Sequence, residues 1–385
     1  MKRAFFLACT AGILAILAAG CGKDNPTTPR SAKAQSGGDT PRPAAADWHT
    51  NTIVMTSRPE RVMDTDTELT VIVNTDDRAR GDRALKAAEA TLRSIEALMS
   101  SHLADTDISR FNNAKAGVES PMSPETLEVL KIARDYSKTT GGIFDCTCRP
   151  LLQLWKRAGM AKRLPTDQEM KEALALVGWD KIKLSDKGAT KTKDGVSLDL
   201  GGIAKKWGID RASEAMMKEK PIGGIVNVGG DLRVFGQRQG GGKWVIGIKD
   251  PFSKEGNLLT SMACGEGAIC TSGNYERFVV IDGKRYSHIV DARTGKTADA
   301  VPSVTVFGKT AVESGIWATT LSVTGHDGFK MLPKDHGLAV MTVEGTPRDY
   351  HFFYWGGFKD MLNEVPEEPL PSTEPATEPA TEPAK

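Results

Sequence analysis

Apolar residues recur at helical spacing over residues 81–103, where Leu85, Ala88, Leu92, Ile95 and Leu98 share one face. The same period predicts helices over 124–136, 167–177, 203–216 and 310–323. Short alternating or continuous apolar runs predict strands over 69–73, 196–200, 225–228, 232–235, 244–249, 278–281 and 303–306, with two late strands over 337–343 and 351–355. These elements follow no regular strand–helix–strand beat. The pattern therefore predicts an α+β fold of mixed sheets with packed helices, in one folded unit over 50–362. No fixed-period repeat runs through that unit.

The two ends read differently. Lys2 and Arg3 precede an apolar stretch over 4–19 that is short for a membrane span. The run Leu17-Ala18-Ala19-Gly20-Cys21 resembles a lipobox with Ala18 in place of the usual Leu. Residues 1–20 are thus expected to be a lipoprotein signal peptide and Cys21 the lipidated residue. Ordinary cleavage after Gly20 is the alternative, and both place the chain outside the cytoplasm, with the lipid anchor putting it on the periplasmic face of a bacterial membrane. Residues 21–49 are rich in Pro, Thr, Ser, Ala and Gly and read as a flexible tether. Residues 363–385 end in Thr-Glu-Pro-Ala repeats, too polar to bury a core.

Composition narrows the chemistry. Lys and Arg number 50 against 49 Asp and Glu in 385 residues, so charge gives no argument for a nucleic-acid partner. Cys146, Cys148, Cys264 and Cys270 remain after export. They allow two disulfides in three pairings, or buried thiols, and Cys-x-Cys alone is a poor zinc signal.

The junction Ser197-Leu198-Asp199-Leu200-Gly201-Gly202-Ile203-Ala204-Lys205-Lys206-Trp207 gathers a carboxylate, bare backbone and a lysine where an extended run meets a helix. Unpaired N–H groups and the positive helix end suit an anion such as a diphosphate there; the plain alternative is a tight turn with a surface lysine. Other Gly- and hydroxyl-rich junctions are Thr140-Gly141-Gly142-Ile143-Phe144-Asp145, Asn227-Val228-Gly229-Gly230-Asp231, Thr271-Ser272-Gly273-Asn274-Tyr275 and the segment from Ser287-His288-Ile289 to Arg293-Thr294-Gly295. Taken singly, each is more often a turn than a site.

Together, and with Ser109-Arg110-Phe111-Asn112, Pro150-Leu151 through Leu154-Trp155 and Ala318-Thr319, these motifs resemble the ApbE-type FAD:protein FMN transferases over 61–325. That resemblance implies a two-lobed, T-fold-like unit with an FAD cleft. It implies FAD as substrate, Mg²⁺ on its diphosphate, and transfer of FMN to a threonine hydroxyl of an acceptor protein with release of AMP. Acceptors in the family are exported redox proteins such as subunits of Na⁺-pumping NADH dehydrogenase or Rnf-type complexes. By the family pattern Met63, His102, Ile143, Phe144, Asp145, Asp199, Lys205 and Ile289 contact FAD. The Gly202 carbonyl and the Thr319 hydroxyl face the metal, and His288 is the candidate base or only braces its loop.

Two positions depart from the pattern. A metal-binding aspartate four residues before the helix threonine is here Gly315, and a tyrosine beside the cofactor is here His102. Gly315 and Thr319 would share a helix face. Glu313 lies two residues from Gly315, on another side of a regular helix. The missing carboxylate keeps two alternatives in view, an FAD-holding lipoprotein without transferase activity and an FAD pyrophosphatase giving FMN and AMP.

Overall fold

The computed structural model describes residues 51–369. The signal segment 1–20, Cys21, the tether and the tail from residue 370 lie outside the described residues. Within them, eight strands form one antiparallel sheet in the order Thr52–Ser57, Thr67–Asn74, Gly223–Val228, Asp231–Gly236, Gly267–Gly273, Ser303–Gly308, Ala339–Thr346, Asp349–Trp355. Successive strand residues point to opposite faces, so each strand contributes to two cores. Leu69, Val71, Val73, Val226, Val228, Ala268 and Cys270 pack under helices Arg78–Met99 and Ala204–Lys218. Ile72, Leu232, Val234, Ile269, Met341 and Val343 face the other way, beneath the hairpin Trp244–Lys249/Leu258–Cys264.

A third helix, Ala311–Thr324, lies over strands Gly267–Gly273 and Ser303–Gly308. It is buried nearly all round because Trp317 and Leu321 meet Val304, Val306 and Val340 while Val312 and Ile316 meet a second lobe. That lobe holds helices Asp107–Asn113 and Pro124–Thr139 and a small three-stranded sheet. Its core reaches Leu198, Leu200, Ile203 and Trp207, so the extended junction read from the sequence runs between the two lobes into helix Ala204–Lys218. Helix Arg149–Ala161 packs on Asp167–Leu174 and on the hairpin Phe278–Ile281/Lys284–Ser287, where Trp155 stacks on Tyr286 at 5.2 Å.

The α+β reading stands, with three corrections of detail. Residues 196–200 are extended but join no sheet. Their backbone is paired by side chains and a loop instead: the Asn112 amide donates to the Leu198 carbonyl (2.9 Å) and accepts from its N–H (2.7 Å), Lys191 Nζ donates to the Val196 carbonyl (3.1 Å), and the Asp199 N–H donates to the Cys146 carbonyl (2.8 Å). The helix expected over 167–177 ends at Leu174. Packing continues past residue 362: the Glu364 carbonyl accepts from Thr260 Oγ1 (2.6 Å), and the Glu368 carboxylate accepts the Phe352 N–H (3.0 Å). Cys146, Cys148, Cys264 and Cys270 are free thiols, and burial pushes the pKa of each up.

Candidate active site

The junction ends where helix Ala204–Lys218 begins without a side-chain cap, its first amide taken by the Leu200 carbonyl at 2.8 Å. Asp199 folds back on its own turn, accepting the Gly201 N–H at 2.8 Å, and pairs with Arg149 at 3.4 Å. Gly202 follows. A Cβ built there would sit 3.0 Å from the Phe144 ring, so the bare backbone lies against that aromatic. Ile143 and Phe144 are buried, and Phe144 shares the second-lobe core with Met63. Met63 is held at φ 54°, and its thioether reaches the Gly208 face of the helix.

Across the junction, strands Gly223–Val228 and Asp231–Gly236 meet in a two-residue turn. Gly229 and Gly230 have φ of 59° and 85°, the left-handed pair that matches the twist of a tight hairpin. The turn puts Asp231 on the helix face of the sheet, 2% exposed. One carboxylate oxygen meets Lys205 Nζ at 3.0 Å and Lys206 Nζ at 3.4 Å; the other accepts the Thr271 N–H at 3.0 Å. Burial alone would raise the pKa of Asp231, but the two ammoniums and the Thr271 amide outweigh it and hold the carboxyl below its ordinary value. A cavity of about 770 Å³ lies on the other side of this turn, bordered by Gly229, Gly230, Thr271 and Tyr275. It adjoins the lysine–aspartate cluster but does not contain it.

The remaining expected residues divide. Asp145 caps the short turn Cys146–Cys148, accepting from the Thr147 N–H (2.7 Å) and the Ser137 hydroxyl (2.9 Å). Burial raises its pKa against those bonds. Ile289 is buried in the loop that ends in the Asp291–Arg293 fork (2.9 Å). His102 sits in the turn after helix Arg78–Met99, its N–H on the Ser100 hydroxyl at 3.2 Å. Arg149, Lys206 and Asp231 were not singled out from the sequence. The signal for them was two consecutive lysines at the helix start and an acid after a Gly-Gly turn.

His288 is exposed to solvent, on the loop between strand Lys284–Ser287 and Asp291. Its Nδ1 faces the Arg277 carbonyl at 2.9 Å, which makes Nδ1 the protonated nitrogen and leaves Nε2 as a free acceptor. Desolvation by the surrounding protein pulls its pKa down to about 4, and the charges of Arg277, Lys206 and Lys205 act in the same direction. Between about 6.5 and about 4 the unfolded imidazole is protonated and the folded one is not, so stability falls as pH drops through that window. Urea midpoints measured across it should decline less in His288→Gln than in the wild type; equal slopes would remove the desolvated histidine.

The magnesium set implied by the resemblance does not fit these residues. Gly315 brings no carboxylate, and Thr319 Oγ1 donates to the Gly315 carbonyl at 3.0 Å. Glu313 turns to His336 and Tyr136. Asp291 is taken by Arg293, and Asp199 by Arg149. Among the described residues no three His, Cys, Asp or Glu side chains gather as a cage.

Residues 63–342 match the model of the ApbE family. An FAD:protein FMN transferase of Vibrio cholerae is 29% identical over 276 residues, 71% of this chain and 83% of that one. That of Haemophilus influenzae is 30% identical over 282 residues, 71% and 81% of the two chains. Among solved structures, the flavin transferase ApbE from Vibrio cholerae superposes with a TM-score of 0.68 at 27% identity, over 81% of this chain and 99% of that one. The ApbE protein of Thermotoga maritima gives 0.69 at 29%, over 81% and 100%.

Proposed function

The chain belongs to the ApbE family, and on that premise we propose that it transfers FMN from FAD to a threonine hydroxyl of another protein. The acceptor oxygen forms a bond to the FMN phosphorus. The bond from that phosphorus to the bridging oxygen breaks, and AMP leaves with the electron pair. The hydroxyl proton passes to Nε2 of His288, the nitrogen left free by the Arg277 carbonyl. Such a displacement is accelerated chiefly by holding the phosphates and neutralising their charge. The observation that carries this reading is the pairing of an uncapped helix start with Lys205 and Lys206 on one buried carboxylate, inside the matched region.

Met63, His102, Ile143, Phe144 and Ile289 are proposed to flank the flavin, with Asp199 and Lys205 on its polar parts. Magnesium, expected from the family pattern, is assigned no step here because Gly315 brings no carboxylate and no acidic cage gathers among the described residues. The acceptors are proposed to be exported redox proteins, such as subunits of Na⁺-pumping NADH dehydrogenase or Rnf-type complexes. Cys21 is proposed to anchor the enzyme by lipid to the periplasmic face of a bacterial membrane.

The test is direct. The mature chain is incubated with FAD and a flavinylatable acceptor domain, and the acceptor is then denatured. Flavin fluorescence that stays with the polypeptide, with AMP released in equal amount, is the expected result. AMP without labelled acceptor would mean hydrolysis, and retained FAD with neither product would mean a holder.

A further inference from the structure

Gly315 is where the family pattern has a carboxylate, and the structure shows what takes its space. A Cβ built on Gly315 would lie 2.5 Å from Cγ, 2.6 Å from Cε and 3.0 Å from Cδ of Lys206. No side chain fits there while the lysine holds this path. The aliphatic stem of Lys206 is therefore laid across the bare helix backbone, and its ammonium is delivered to Asp231 beside that of Lys205. In this chain the lysine stem occupies the space that a side chain at position 315 would need.

We propose that the Lys206 ammonium supplies the positive charge at the FAD diphosphate that a metal ion would otherwise bring, so that this chain binds and cleaves FAD without a divalent cation. The inference rests on the functional reading above. Lys205 and Lys206 against Asp231 leave one net positive charge, set at a helix start that adds its own partial charge. A buried carboxylate shared by two ammoniums fixes both heads and cancels only one of their two charges. Lys206 is nearly enclosed, its side chain 10% exposed, so its charge is weakly screened. An aspartate restored at position 315 alone would meet Lys206 rather than a metal.

The experiment compares chelated and magnesium-supplied protein. Affinity for FAD, ADP and riboflavin is measured by calorimetry in EDTA and in millimolar MgCl₂, and AMP release in the presence of the acceptor domain is followed in parallel. Wild-type FAD affinity and AMP release are expected to agree within about twofold between the two buffers. Lys206→Met is expected to weaken FAD and ADP about tenfold or more, the worth of one charge-assisted contact, while sparing riboflavin. The double variant Lys206→Gly/Gly315→Asp is expected to bind FAD weakly in EDTA and to regain affinity with magnesium. FAD binding and AMP release that vanish in EDTA and return with magnesium would overturn the lysine assignment and leave the transferase reading standing. The same holds for Lys206→Met binding FAD as the wild type does. Failure to bind FAD in either buffer would bring down the functional reading and this inference with it. The wild-type comparison needs no variant and decides the matter even if Lys206→Met does not fold.

Discussion

Asp210→Ala is expected to lower the free energy of unfolding by about 3–5 kcal/mol, the usual cost of stripping one partner from a buried ionic network. Asp210 is 4% exposed and projects from helix Ala204–Lys218. One oxygen accepts Arg233 from the sheet at 2.9 Å and the Ala311 N–H at 2.9 Å; the other accepts the Val312 N–H at 3.0 Å. One side chain thus ties the lysine-bearing helix, a central strand and the first turn of the helix that carries Gly315 and Thr319. Alanine would orphan two amides at a buried helix start and leave the Arg233 guanidinium unpaired. Equilibrium urea unfolding checks this, and a loss under about 1 kcal/mol would contradict it. Asp210→Asn keeps one acceptor and should fall between the two.

What the sequence made legible follows from how local each signal is. Helix Arg78–Met99 showed its face because Leu85, Ala88, Leu92 and Ile95 are buried on one side and the charged residues lie on the other. Helix Ala311–Thr324 was also found, but its role was not readable, since residues on all its sides are buried and period alone names no partner. The run 196–200 has the composition of a strand and the extended backbone of one. Its ladder is replaced by the Asn112 amide, a partner 86 residues away that no local pattern announces. In the site, the Gly202–Lys205 junction was legible because it is contiguous. The run Gly229-Gly230-Asp231 reads as a turn, and it is one. The second role of Asp231 depends on which sheet face it takes, and on a helix packed there from another part of the chain. Gly315 stood out only as a missing carboxylate. That Lys206 fills the gap is a contact between two helices and has no trace in spacing.

Lys205→Ala is expected to raise the Kd for FAD about tenfold to a hundredfold, as a charge-assisted hydrogen bond to phosphate is worth about 1.5–3 kcal/mol. Lys205 is the more open of the two lysines, its side chain 24% exposed. Its head lies at the Gly229 turn, 3.2 Å from where a Cβ would stand, so it can leave Asp231 for a ligand without unpacking a core. The fold should survive, because Asp231 keeps Lys206 at 3.4 Å and the Thr271 amide at 3.0 Å. Calorimetry with FAD, ADP and riboflavin checks the assignment: the first two should weaken and the third should not. Unchanged FAD affinity would remove Lys205 from the phosphate site. The two lysines share one carboxylate oxygen, so their losses should not add. With Lys205 gone, Lys206 is the sole ammonium on Asp231 and is drawn closer to it, away from the phosphates. Lys205→Ala/Lys206→Met should therefore cost less than the sum of the single changes. Strict additivity would mean that the two ammoniums act at separate places and that Asp231 does not couple them.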